Sequence, residues 1–246
     1  MNAPPFPAVS VGPDVDPFAE LQLIDEDAIV LLDRLTPQHL PDSDLLQGMP
    51  ARDLNAATSA LVEAFRSIDV DRVNRRFNRF ERITGADIEA RVRFDLATHE
   101  IDDLMQATVH AQMRAERARD RIARDSVHLD RTNSELGLLV EWANACLSRI
   151  GGEEFHRQRF VKRITDIEMI IAANRMMEGQ YSLAHQTLTA LVDRTGEVTR
   201  VLLPLWKQHA FAIAHSDDGP MQDKPRLDAF AAVHGKICAL LSTKVG

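Results

Sequence analysis

A chain of 246 residues that is 45% hydrophobic but only 5% aromatic has ample material for a core, in the amino-acid usage of a helical bundle. Two cysteines without CxxC spacing, Cys146 and Cys238, read as buried free thiols in a reducing cytoplasm. The net charge of −8 disfavours nucleic-acid binding, and no apolar run approaches the roughly 18 residues of a membrane span.

The charge imbalance sits at the front, where the first sixty residues hold ten acids against Arg34 and Arg52. Residues 1–50 read as an acidic, partly disordered N-terminal arm. Residues 1–15 have proline and glycine without periodicity and lack the early positive charge of a signal peptide. Asp16-Pro17 resembles an N-cap and first helical residue, predicting a short helix to about Leu35. The stretch TPQHLPDSD reads as a turn-rich linker. A body spanning 51–215 opens with a helix over 51–67, whose apolar positions are Leu54, Ala57, Leu61 and Phe65.

The strongest pattern follows Thr84-Gly85. From Asp87 to Ile150 there is no proline, and the only glycine is Gly137. A seven-residue repeat runs through Phe94, Ile101, Thr108, Ala115, Ile122, Leu129, Leu136, Ala143 and Ile150. Three residues after each of the first eight come Ala97, Leu104, Ala111, Ala118, Asp125, Thr132, Leu139 and Cys146. These are the a and d positions of a heptad. One unbroken helix there would reach about 95 Å at 1.5 Å per residue, and partners must lie along its stripe.

Gly151-Gly152 is the expected left-handed stop, and Glu153-Glu154 complements a new helix N-terminus. The next helix presents Phe160, Ile164, Ile167 and Ile171, so an antiparallel hairpin follows. Gly179 leaves a turn or a weak point open. A third stripe, Ala184, Leu188, Leu191, Thr195, Val198, Leu202, Leu205, His209 and Ala212, keeps alternating steps of four and three. Pro204 lies inside it and should bend the helix. Residues 216–246 comprise a linker and a last helix over about 225–243. The fold class is therefore all-α: an elongated antiparallel helical bundle or coiled coil around one very long helix.

No phosphate loop, GxSxG elbow, HExxH pair or EF-hand loop is present, and the expectation is no catalytic residue, no metal and no cofactor. His209 reads as an interior histidine of the third stripe, and Met169, Met176 and Met177 read as core filling. Asp125, at a d position, reads as a polar seam residue paired with an arginine that sets register. The basic runs DRVNRRFNRFER (Arg72, Arg75, Arg76, Arg79, Arg82) and MRAERARDRIARD (Arg114, Arg117, Arg119, Arg121, Arg124) read mainly as salt-bridged helix faces. The first run, punctuated by Phe77 and Phe80, offers an alternative: peripheral contact with anionic lipid.

Three stretches together resemble the toxic anion resistance family, the TelA-like tellurite-resistance proteins. RDSVHLD (Arg124 to Asp130) is similar to the family's Arg-Asp-Asn-x-x-Leu-Asp segment. LLPLWKQ (Leu202 to Gln208) is similar to its Ile-Pro-Leu-Trp-Lys-x-Gln motif. Ile101-Asp102, with Phe94 upstream, is a weaker third. The likeness runs from about residue 51 to 212. RMMEGQYSLAHQ replaces the family's Pro-Gln-Ile-Arg-type segment, and a short tail replaces its long C-terminal helix, as in a divergent member. The resemblance implies a non-enzymatic cytoplasmic protein of stress resistance that acts through protein partners or self-association. It singles out Arg124, Asp125, Leu129, Asp130, Pro204, Trp206, Lys207 and Gln208 as interaction or structural positions.

Overall fold

The seven-residue repeat lies on a single α-helix. In the computed structural model, which describes residues 16–37, 50–68, 86–214 and 224–242, it spans Ala86–Arg149 without a break. In chain order α1 is Glu26–Leu35, α2 Pro50–Ser67, α3 Ala86–Arg149 and α4 Glu154–Glu197. A π-helical turn, Val198–Leu202, leads into α5, Leu203–Ala214, and α6 is Lys224–Ser242. The fold is all-α, with no strand among the described residues. Every a position from Phe94 to Ile150 is buried, and every d position is buried or half-buried. No helix among the described residues is long and apolar enough to cross a membrane.

The chain forms two compact units, Met1–Gln47 with Arg121–Ala184, and Gly48–Asp120 with His185–Gly246. Their boundaries fall within α3 and α4.

The first unit is a hairpin covered by the N-terminal segment. Leu136, Leu139, Ala143 and Cys146 of α3 meet Phe160, Ile164 and Ile167 of α4, and Phe18, Ile24, Ile29 and Leu32 close the core. The helices run antiparallel here. Arg157 Nη1 donates to the carbonyl of Ile150 at 2.9 Å, while farther along Asn174 Nδ2 donates to Asn133 Oδ1 at 2.9 Å. Two local expectations are corrected. Asp16 caps only a turn, its Oδ1 accepting from the Phe18 amide, and α1 begins ten residues later with Asp25 as N-cap. Between them the chain must leave helical geometry so that the Ile24 amide can donate to Gly151 O at 3.0 Å. Nor is Gly151-Gly152 a left-handed stop, since neither glycine adopts a φ in the left-handed region. Gly152 is needed for space, because a Cβ there would lie 2.6 Å from the Ile24 carbonyl oxygen. Helix α4 continues through Gly179 unbroken.

The acidic leading segment finds basic partners on α4. Glu26 pairs with Arg159, and Asp33 with Arg163 at 2.8 Å. The basic run 72–82, residues 1–15 and the linkers at 38–44 and 216–220 lie outside the described residues.

The second unit is built differently. Its core gathers Leu61 and Phe65 of α2, Phe94 and Ile101 of α3, Val198 and Leu202 of the π turn, Leu203 and Trp206 of α5, and Phe230 and Ile237 of α6. Helix α6 packs on α2, α5 and the π turn. At that turn the Leu203 amide reaches back five residues to Val198 O. A proline ring clashes with the carbonyl four residues before it and offers no N–H, so the α-helical pattern cannot run evenly into Pro204. The extra residue held in the turn advances the inward face by one position. Leu203, Trp206 and Ala210 are buried, whereas Leu205 is 38% exposed and His209 half-buried. The third stripe therefore holds through Leu202 and fails beyond it: Leu205 and His209 leave the seam that their spacing predicted.

Candidate functional site

Two of the three family-like stretches meet in the second unit. Trp206 is fully buried in a cage of aromatic rings. Phe65 stands edge-on to it at 5.2 Å, Phe230 lies tilted at 5.5 Å and Phe94 at 6.3 Å. Edge-on and tilted ring pairs set the positive rim of one ring on the negative face of another, which holds the indole in one orientation. One residue along, Lys207 forms an ion pair with Asp102, the residue after the buried Ile101. Phe94, Ile101 and Asp102 on α3 thus engage Trp206 and Lys207 on α5, far apart in sequence but joined by one antiparallel register.

The rest of LLPLWKQ faces outward. Pro204, Leu205 and Gln208 are exposed, continuing from Val201 at 59%. The π turn divides the motif: Leu202, Leu203 and Trp206 build the core, while Pro204, Leu205 and Gln208 join the preceding Val201 in a surface strip. Within the turn, the hydroxyl of buried Thr199 has two acceptors for its one proton, Thr195 O at 2.9 Å and Gln112 Oε1 at 3.2 Å. A hydroxyl bonded to the backbone four residues back helps a helix depart from regular geometry.

His234, which the sequence reading passed over among nine scattered histidines, completes the cage. Its ring lies 5.6 Å from Phe65 and 6.2 Å from Phe230. Burial holds its pKa below the usual histidine value. The signal available was weak: Phe230 and His234 stand four apart on α6 and so share a face. His209, the histidine assigned to the interior, is off the seam.

The third stretch, RDSVHLD, belongs to the first unit and is mostly surface. Leu129 is buried, Arg124 and Asp130 are exposed, and the Asp125 side chain is 37% exposed. Asp125 does face an arginine, Arg121 at 4.0 Å, but one turn back on its own helix. A pair within one helix holds no register between helices, so that role passes to another layer. Asn174 Nδ2 donates to Asn133 Oδ1, and Asn133 Nδ2 donates to Glu178 Oε1 at 2.7 Å. Amide pairing needs matched positions on both helices, which a one-turn slip would destroy.

The methionine reading is also corrected. Met169 and Met176 are 58% and 72% exposed, because the steps from Phe160 through Ile167 turn the opposite face of α4 inward. In the second basic run, Arg114 pairs with Asp53 at 3.3 Å and Arg119 with Asp120 at 2.9 Å. Both cysteines are free. Cys146 is buried and Cys238 half-buried, and burial pushes both thiols up. No group of three His, Cys, Asp or Glu side chains among the described residues could hold a metal ion.

The chain is similar to Protein KlaA of Escherichia coli, with 26% identity over 184 residues, 70% of each chain. No family model matches it, and no solved structure matches it significantly.

Proposed function

We propose that this chain, a relative of the TelA-like tellurite-resistance family to which Protein KlaA belongs, is a non-enzymatic helical protein of toxic-anion resistance that works by docking protein partners. The observation that carries this reading is the division of LLPLWKQ. Its buried half is spent on packing: Trp206 fills the aromatic cage, and Lys207 is tied to Asp102. Its other half, Pro204, Leu205 and Gln208, joins the preceding Val201 in a strip exposed along the helix. Such a strip suits an amphipathic helix of a partner, whose apolar anchors recur every three or four residues.

Two features weigh against a membrane-surface role for the second basic run. Its arginines alternate with acids, and Arg114, Arg119 and Arg121 already face carboxylates. Anionic head groups would have to displace those partners.

The test is complementation of a deletion strain on tellurite. Val201→Asp and Leu205→Asp should lose resistance while melting like the wild type, and Trp206→Phe should keep most of it. A Cys146→Ala/Cys238→Ala variant should remain resistant, since no thiol step is involved. A deletion strain with unchanged tellurite tolerance would remove the reading.

A further inference from the structure

The outward face of α4 in the first unit carries an apolar stripe. At 100° per residue, Met169, Ala172, Ala173 and Met176 lie opposite the buried Phe160, Ile164 and Ile167, and all four are exposed. Two charges flank the stripe on one side, Glu168 and Arg175. They stand seven residues apart, about 10 Å along the axis. Both are exposed, and neither enters an ion pair among the described residues.

We infer that this face is a two-fold interface between copies of this chain, with α4 of one protomer antiparallel to α4 of its partner about an axis beside Ala172. The charges choose both the occupant and the direction. Reversal about the midpoint of Glu168 and Arg175 brings each opposite the other, so one contact forms two ion pairs related by symmetry. A parallel pairing in register would set glutamate on glutamate and arginine on arginine instead. The small alanines stand at the axis, where two backbones approach most closely. Met169 then lies against Met176 across the axis, and unbranched thioethers adapt to each other's shape. This inference is independent of the strip on LLPLWKQ, which belongs to the other unit.

Sedimentation of the full chain over a range of concentrations tests it. The wild type should be a dimer at tens of micromolar. Glu168→Arg and Arg175→Glu, each placing like charges across both symmetric contacts, should each weaken the dimer by about tenfold. The double variant E168R/R175E should recover it, because the exchanged pair is again complementary to itself. Circular dichroism should be the same for all four proteins. Three outcomes would overturn the inference: a wild-type monomer throughout, single variants that dimerise normally, or a double variant as weak as the singles. The first would leave the stripe to a different macromolecule.

Discussion

Helices α3 and α4 contribute to both units but are held by different means. In the first unit the core is mainly aliphatic around one Phe18–Phe160 pair, the seven-residue step never slips, and one amide layer, Asn133 with Asn174, fixes the register. In the second, the continuation of α4 passes through a π turn and its inward face moves by one residue, onto Trp206 and an aromatic cage. A polar layer leaves a helical period intact because it changes chemistry at a fixed angle. A π turn changes the angle itself, so every later residue faces a new direction.

Two single-residue deletions break that comparison most sharply. Removing exposed Arg131 rotates the rest of α3 by about 100° and takes Leu136, Ala143 and Ile150 off the seam. Loss of the first unit's cooperative unfolding is expected, roughly 5 kcal/mol or more. Removing Arg200, together with Pro204→Ala, should instead convert the π turn to ordinary helix with Leu203, Trp206 and Ala210 still inward. We expect a cost of about 1 kcal/mol. Denaturant titrations followed by circular dichroism separate the two, and equal costs would mean that the π turn is not a simple register insertion.

Next in size is Trp206→Ala, which empties the cage and should cost about 3–5 kcal/mol in the same titration. A loss below 1 kcal/mol would show that the rings merely cover the indole. Gly152→Ala is the first unit's counterpart. Its Cβ meets the Ile24 carbonyl at 2.6 Å, and the N-terminal segment must shift, for about 1–3 kcal/mol. Faster proteolysis near residue 20 with α3 and α4 still protected would mark that shift.

The smallest effect is a pH dependence confined to the second unit. His234 has a folded pKa lowered by burial, so the neutral ring is the form that packs. The unfolded chain then binds more protons below about pH 6.5, and stability, full above that value, declines as the pH falls toward the folded pKa. His234→Phe should flatten this decline. An unchanged slope in that variant would assign the titration elsewhere.

Much of this could be read from residue order. The all-α class, the extent of α3, all nine buried a positions and the inward Phe160-Ile164-Ile167 face follow from spacing, because one helix has one period. The family-like motifs were equally visible in residue order. Local signals misled where a neighbour outbid them. Asp16-Pro17 has the chemistry of a helix start, but the chain makes only a turn there before the Ile24 amide bonds to Gly151 O. The third stripe ran cleanly to Ala212 on paper, and only the backbone change before Pro204 moved Leu205 outward.

Periodicity by itself settled which helices exist and which edge of each is apolar up to the first irregular turn, since both depend on residues close in sequence. Tertiary structure alone decided that Asp102 meets Lys207 and that His234 rather than His209 borders the aromatic core. Those outcomes depend on the rotation and register of helices against one another, and rotation is set by the packing of distant side chains rather than by any run of neighbours.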